Sequence, residues 1–158
     1  MRSIVTASMI TLVLSGVIGG PIAAQSLGAD GDQDLSFGQI WAGAPTSVSR
    51  LDVSQAGQFV VRGTRGAEVL VQLALPPTMI NPRGAQLPLE FGPNDGGHFW
   101  LPITWWAQSF DPRVPLRTRL GITGRLYMYL GGTARPAANQ QAGRYTGTIT
   151  LTVSYTGN

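Results

Sequence analysis

RYTGTITLTVSYT, residues Arg144 to Thr156, is the stretch that decides the fold of this chain. Successive side chains of an extended strand point to opposite faces, so every second residue shares a face. One face of this stretch is apolar or aromatic and consists of Tyr145, Gly147, Ile149, Leu151, Val153 and Tyr155. The other face carries mostly threonine. This alternation is typical of a half-buried β-strand, and it predicts that the odd-numbered face packs on a core.

The composition of the whole chain favours the same class of structure. The chain has 158 residues, of which 43% are apolar and only 12% are charged, with 21 Gly and 11 Pro. Glu68–Leu75 also alternates, which predicts a central strand, and Arg125–Leu130 alternates as well; turn residues separate the short apolar runs. We therefore predict an all-β protein, an antiparallel β-sandwich of about seven to nine strands, as one domain from residue 34 to residue 158.

The N-terminal 24 residues have the features of a secretory signal peptide. Arg2 precedes an apolar run from Met9 to Ile18, a Gly-Gly-Pro sequence follows, and Ile22-Ala23-Ala24 resembles a small-x-small cleavage site. A permanent membrane anchor is the alternative, but the apolar run is shorter than the roughly 20 residues that a span needs. We predict export to the periplasm, the cell surface or the medium, with a mature chain that starts at Gln25.

The charges argue against a nucleic-acid-binding protein, and the lack of cysteine excludes disulfides. The formal net charge is +3, no Lys is present, and the 11 Arg residues are scattered rather than clustered in a stripe that would bind phosphates. Nucleic acid is therefore not a predicted partner. The chain has no Cys, so an exported domain would depend on its core and its strand ladders without disulfides.

Residues 25–33 are polar and rich in small residues, and we interpret them as a flexible leader. Asp30, Asp32 and Asp34 alternate as in the opening of a calcium-binding loop. However, Leu35 stands where such a loop needs Gly, and Trp41 stands where it needs a bidentate Glu. The pattern favours a solvated acidic leader, and we predict no metal site.

The sequence offers no recognisable catalytic constellation. His98 is the only histidine, with Asp95 close by in sequence, and a hydrolase would need a nucleophile held by such a base. Neither G-x-S-x-G nor H-E-x-x-H occurs. We interpret His98 as a surface residue beside a turn, and we predict no catalytic residues, no cofactor and no enzymatic activity.

Aromatic residues form the candidate binding surface. In HFWLPITWW one parity holds Phe99, Leu101, Ile103 and Trp105, and if that set is core, Trp100 and Trp106 point outward. The outward face of the strand Arg125–Leu130 adds Tyr127 and Tyr129. Such a platform offers flat contact area to a sugar ring or a protein partner. Alternatively, these aromatic residues cover a second sheet or a subunit interface.

Three stretches in order resemble an exported bacterial family of domains of unknown function, DUF4402, which is related to spore coat U and fimbrial pilin-like domains. They are DLSFGQIWAG at Asp34–Gly43, RGTRGAEVLVQLALP at Arg62–Pro76, and LGGTARPAANQQAGRYTGTITLTVSY at Leu130–Tyr155. The segment between Thr78 and Arg119, with its prolines and three tryptophans, departs from that pattern. The resemblance implies an immunoglobulin-like sandwich of the pilin type that is built into surface fibres or a coat, and it implies no catalytic residues.

The resemblance also implies a mode of assembly, in which a neighbour's N-terminal extension adds a strand to an open sheet edge. The leader residues that share one parity and could serve as this donor strand are Leu27, Ala29, Gly31, Gln33 and Leu35. The expected partners are then other copies of the chain and a periplasmic chaperone. The expected function is an exported, non-enzymatic fibre or coat subunit. The alternative is a monomeric secreted module that binds polysaccharide or protein through the exposed aromatic residues.

Overall fold

The computed structural model describes residues 5–7, 26–103 and 106–157, and this part of the chain is all-β. The all-β prediction is therefore confirmed, although the described residues form fourteen strands rather than seven to nine. The strands are β1 Val5–Ala7, β2 Gly28–Gln33, β3 Thr46–Val48, β4 Gly57–Arg62, β5 Glu68–Ala74, β6 Thr78–Ile80, β7 Gln86–Glu90, β8 Gly96–Phe99, β9 Gln108–Phe110, β10 Leu116–Arg119, β11 Arg125–Leu130, β12 Gly132–Ala134, β13 Gly143–Tyr145 and β14 Thr150–Tyr155.

Twelve of these strands form three antiparallel sheets. The five-stranded sheet has the order β2-β4-β11-β8-β9, the four-stranded sheet β3-β12-β7-β6, and the three-stranded sheet β10-β5-β14. The remaining two strands, β1 and β13, pair in parallel. Because β5 lies between β10 and β14, the alternating stretch at Glu68–Ala74 is a central strand, as its pattern predicts.

All three sheets contribute to one apolar core. Phe59, Val61, Leu126, Met128 and Leu130 come from the five-stranded sheet, and each is at most 1% exposed. The other two sheets add a set that includes Val69, Val71, Met79, Leu87, Leu151 and Val153. Fully burying a large apolar side chain stabilises a fold by about 1.5–3 kcal/mol, so this shared core is what holds the sheets together.

The closing stretch follows its predicted alternation but serves two sheets. Tyr145, Ile149, Leu151 and Val153 are all buried, as predicted. The strand is interrupted after Tyr145, where Thr146 pairs with Ile80, at the end of β6, through two backbone hydrogen bonds. The chain then pairs with β5 from Thr150 onward. Interruptions of this kind explain why there are more strands than the sequence predicts.

The prediction of a flexible leader at residues 25–33 is wrong for residues 28–33. They form β2, which pairs antiparallel with β4 and has an irregularity between Gly31 and Gln33. Ala29 is buried in the core, and Asp30 forms an ion pair with Arg62. The sequence pattern does not predict this strand because it contains few apolar residues. An edge strand can form with only one or two buried side chains when backbone hydrogen bonds pair it with its neighbour.

Most of the predicted signal peptide lies outside the described residues, since only 5–7 of residues 1–24 are described. Those three residues form β1, which runs parallel to β13 with Val5, Thr6 and Ala7 opposite residues 143–145. Within the described part of the chain, no helix is long and apolar enough to cross a membrane.

Candidate functional site

An apolar pocket of about 490 Å³ opens between the end of β8 and the turn that joins β10 to β11. This volume lies within the range of roughly 300–1,000 Å³ that is usual for ligand pockets. Among the lining residues, only Arg119 and Thr123 have polar side chains. The full lining is Gly66, Phe99, Trp100, Leu101, Arg119, Leu120, Gly121, Ile122 and Thr123. A concave surface of this composition suits an apolar ligand.

Two glycines shape the turn that forms one wall of the pocket. Gly124 has a φ of 71°, which a side chain would strain, and its N–H donates to the Gly121 carbonyl at 2.8 Å. A Cβ at Gly121 would stand 2.8 Å from the Cβ of Trp100, so Trp100 packs directly on the turn. The turn leaves Ile122 at its tip, 88% exposed.

The structure brings Trp100 and Trp106 together around Phe99. The ring centroids of Phe99 and Trp100 are 5.7 Å apart, and those of Phe99 and Trp106 are 6.4 Å apart in an edge-to-face arrangement. Trp100 is 43% exposed and Trp106 is 64% exposed. The indole N–H of Trp100 donates to the Arg119 carbonyl at 2.8 Å, which fixes the ring across the pocket wall. Both tryptophans therefore belong to one exposed aromatic cluster.

The two tyrosines of the predicted platform differ in exposure. Tyr127 lies opposite Phe99 in the ladder between β11 and β8 and is half-buried, so it flanks the cluster. Tyr129 is only 4% exposed, which makes its assignment to the exposed platform wrong. Arg50 lies against Gly97, the residue opposite Tyr129, so the loop before β4 covers this face. Burial, followed by the electrostatic effect of Tyr127, raises the pKa of Tyr129.

The pocket also contains residues that the sequence patterns miss. The assignment of Phe99, Leu101 and Ile103 to the core is wrong, because His98 lies opposite the core residue Met128 and the neighbouring Phe99 therefore faces the other side. Phe99 and Ile103 are half-buried, Leu101 is 48% exposed and lines the pocket, and Trp105 of the same set lies outside the described residues. Ile122 lies about twenty residues further along the chain. An isoleucine in the middle of the turn sequence G-I-T-G is the one signal that could have indicated it, because turn tips are ordinarily polar.

The electrostatic character of the pocket comes from Arg119. Arg119 is one of the lining residues, and its side chain takes part in none of the ion pairs found among the described residues. Glu68, which lies directly opposite Arg119 in the strand ladder, is engaged by Arg117 and by the hydroxyl of Thr156, each at 2.9 Å. Arg119 is therefore a cation at a mostly apolar site, and the acid opposite it already has other partners.

The interpretation of His98 as a surface residue is wrong. It lies within β8 and is 9% exposed, with its ring edge-to-face against Phe110 at 5.7 Å. Burial lowers the pKa of His98, and a hydrogen bond with the Gln108 backbone partly opposes that effect. Its Nδ1 atom has no hydrogen-bond partner among the described residues. Asp95, the acid that is close in sequence, instead accepts a hydrogen bond from the Gly92 N–H at 2.6 Å.

The acidic residues of the N-terminal region do not converge. Asp30 is paired with Arg62 across the β2–β4 ladder. Within the described ranges, no group of three or more His, Asp or Glu side chains is placed to hold a metal ion.

A second feature is the edge of β13 that pairs with β1. Thr146 directs both its N–H and its C=O toward Ile80, on the β6 side. Backbone groups of successive residues in a strand point to opposite edges, so the Tyr145 N–H points to the side where β1 lies. Beyond β13, a small apolar cleft is lined by Leu35, Phe37, Pro76, Met79, Leu89, Gly147 and Ile149.

Comparison with known proteins adds no assignment. No protein-family model matches the chain, and no curated protein matches it in sequence.

Proposed function

We propose that this chain is an exported, non-enzymatic structural protein that serves as a pilin-like subunit of a surface fibre or coat. The observation that carries the proposal is the parallel pairing of β1 with β13, in which a segment from the predicted signal peptide is added to the closing stretch as an extra strand. Removal of residues 1–24 after export would leave that edge of β13 without this strand. An unpaired edge is a template for a strand from another chain.

The backbone groups of the β13 edge support the same proposal. In strand addition, main-chain hydrogen bonds supply affinity, and pockets for alternate side chains supply specificity. The β13 edge offers backbone hydrogen-bonding groups of this kind on the side where β1 lies. The partner would be a second copy or a periplasmic chaperone.

The environment of Tyr145 favours an immunoglobulin-like sandwich. Tyr145 stands just before the final strand, and its hydroxyl donates to the carbonyl of Gln141, four residues upstream, at 2.7 Å. A tyrosine that bonds back to the preceding chain at a strand corner is a hallmark of immunoglobulin-like domains. Together with the antiparallel sheets, and with the resemblance to pilin-like domains, this supports a pilin-type sandwich.

The predicted donor strand in the leader pairs within its own chain. Residues 28–33 pair with β4 of their own chain, so donation by Leu27, Ala29, Gly31, Gln33 and Leu35 requires β2 to leave that edge first. The Asp30–Arg62 ion pair adds little resistance, because exposed ion pairs contribute at most about 1 kcal/mol. Exchange of β2 between copies is therefore a second route to the same fibre.

Electron microscopy and sizing of the mature protein, residues 25–158, test the proposal. We expect filaments or large oligomers. Hydrogen exchange locates the contact, since the Tyr145 amide should exchange quickly in the monomer and slowly in the assembly. The Thr146 amide is the internal control, because its bond to Ile80 should protect it in both. A protein that stays monomeric at every concentration would refute the fibre function.

A truncated chain, residues 35–158, distinguishes the two routes. If β2 is the exchanged strand, truncation abolishes the assemblies, and the Tyr145 amide exchanges equally quickly before and after assembly. If the β13 edge is the acceptor for another segment, assemblies persist after truncation and the Tyr145 amide remains protected in them.

A second candidate function, a secreted binding module, is favoured by the pocket beside Trp100. The two outward tryptophans lie together there, as a binding platform requires. Polysaccharide is the less suitable ligand, because sugar hydroxyls need hydrogen-bonding partners and the Trp100 N–H is already engaged. Fluorescence titration of the wild type against Trp100→Ala and Trp106→Ala tests this function, and an absence of ligand binding in the wild type would remove it.

A further inference from the structure

We propose that the pocket beside Trp100 binds the alkyl chain of a single-chain anionic amphiphile, such as a fatty acid, with the charged head group at Arg119. This inference deepens the binding-module candidate and does not depend on fibre assembly. It rests on three properties of the pocket, namely its shape, its apolar wall and its one unpaired cation.

Shape and wall composition indicate an alkyl chain. The pocket has a volume of about 490 Å³, and five of its nine lining residues have large apolar side chains, namely Phe99, Trp100, Leu101, Leu120 and Ile122. Burial of methylene groups against such side chains is favourable in proportion to the area removed from water. The Trp100 N–H is engaged by the Arg119 carbonyl, so the wall offers few polar groups to a hydroxyl-rich ligand.

The charge distribution indicates an anionic head group. Arg119 lines the pocket without an ion-pair partner in the described structure, while Glu68, the acid opposite it, is held by Arg117 and Thr156. No Asp or Glu follows Asp111 in the sequence. A carboxylate or phosphate head group would therefore meet Arg119 with little competition from the protein, and a guanidinium suits either anion.

The same charge argues against a second copy as the occupant. Most symmetric dimers form by a two-fold contact of one surface patch with itself. Such a contact through this face would bring two Arg119 side chains toward each other, and like charges placed together across an interface are unfavourable. An anionic amphiphile satisfies both the apolar wall and the cation.

Titration of the mature protein with dodecanoate, followed by tryptophan fluorescence, tests the proposal because Trp100 lines the pocket and Trp106 lies beside it. We expect saturable binding below the micelle concentration. Hexanoate should bind at least about tenfold more weakly, because each lost methylene removes favourable burial. Dodecyltrimethylammonium, with the same tail and a cationic head, should also bind more weakly. A thermal midpoint that rises with dodecanoate excludes unfolding by detergent action.

Variants localise the binding. Ile122→Asp should weaken dodecanoate binding at least about tenfold, since it removes apolar surface and places an anion at the mouth. The fold should tolerate it, because Ile122 is 88% exposed. Val53→Asp, at a residue that is 59% exposed and outside the pocket wall, is the matched control and should bind as the wild type does. Arg119→Gln should weaken binding about fivefold, as expected for an exposed charge pair.

The proposal is overturned if dodecanoate does not bind, if its cationic analogue binds equally well, or if Ile122→Asp and Val53→Asp behave alike. It is also overturned if the wild type self-associates through this face, with Ile122→Asp restoring the monomer while amphiphile binding is absent. Filament assembly is measured separately, so failure here leaves the fibre proposal standing, and the reverse also holds.

Discussion

At the scale of single residues, Tyr145 links the core to the loop that precedes the closing stretch. It is the largest of the fully buried side chains in the described structure. Its hydroxyl accepts a hydrogen bond from the Gln140 amide at 2.6 Å and donates one to the Gln141 carbonyl at 2.7 Å. The ring therefore fills the core, while the hydroxyl provides a hydrogen-bond partner for the Gln140 amide and for the Gln141 carbonyl.

Tyr145→Phe should lower the free energy of unfolding by about 1–3 kcal/mol, because it leaves one N–H of the buried Gln140 side-chain amide without its acceptor. Tyr155→Phe is the matched control. The Tyr155 hydroxyl accepts from the Thr64 N–H at 2.8 Å, but it lies near the surface, where water replaces the lost partner, so a loss below about 1 kcal/mol is expected. Urea denaturation of both variants measures the difference. Equal losses would contradict a special role for the Tyr145 hydroxyl.

At the scale of elements, β14 shows what alternation can decide. Its odd-numbered residues Leu151 and Val153 are at most 2% exposed, whereas Ser154 faces solvent. In the ladder with β5, Leu151 lies opposite Leu73, and Val153 lies opposite Val71. The pattern fixes the buried face because a shift of one residue would turn the whole apolar face toward solvent.

Leu151→Asp should abolish cooperative unfolding of the mature protein. An unpaired carboxylate in this core costs several kcal/mol or more, a large part of the roughly 5–15 kcal/mol that stabilises a typical domain. Ser154→Asp adds the same charge to the exposed face of the same strand and should change stability by less than about 0.5 kcal/mol. Thermal unfolding followed by circular dichroism compares the two. An unchanged midpoint for Leu151→Asp would show that the core assignment is wrong.

At the scale of the whole molecule, the sequence predicts the elements that carry their own apolar face. The all-β class, the central position of β5 and the buried face of the closing stretch all follow from alternation. Strand β2 does not, because it has a single buried side chain, Ala29, and depends on pairing with β4. The burial of Tyr129 does not either, because the loop that holds Arg50 covers it from almost eighty residues away.

The candidate site was predictable only in part, for the same physical reason. Alternation assigns Trp100 and Trp106 outward only on the premise that Phe99 and Leu101 are core. The structure places both tryptophans in one exposed cluster, but Phe99 is half-buried and Leu101 is 48% exposed, so the premise is wrong. The pocket itself depends on the packing of Trp100 against Gly121, two residues that no local period connects. Contacts between distant segments, rather than the character of any one segment, create the cavity.

His98 makes the stability of the whole fold depend on pH. It lies opposite Met128 in the ladder, between the neighbouring strands β11 and β9, and its burial lowers its pKa. The folded protein therefore favours the neutral imidazole, while the unfolded chain binds a proton near the ordinary pKa of about 6.5. The contribution of His98 to the free energy of unfolding should be fully present above about pH 7.5. It should be lost as the pH drops toward about 5, because the unfolded state then binds more protons than the folded state.

Thermal midpoints of the wild type and of His98→Phe, measured from about pH 7.5 to about pH 5, test this dependence. His98 is the only histidine, and the pKa of Asp111 is held at about 2 by Arg113, so that acid titrates below this window. The wild-type midpoint should decrease with falling pH, while the midpoint of His98→Phe should change much less, whatever its absolute value. His98→Asn gives the same comparison if the larger ring does not fit. Parallel pH profiles in all three proteins would mean that another group controls acid stability, and that the buried imidazole is protonated as easily in the folded protein as in the unfolded chain.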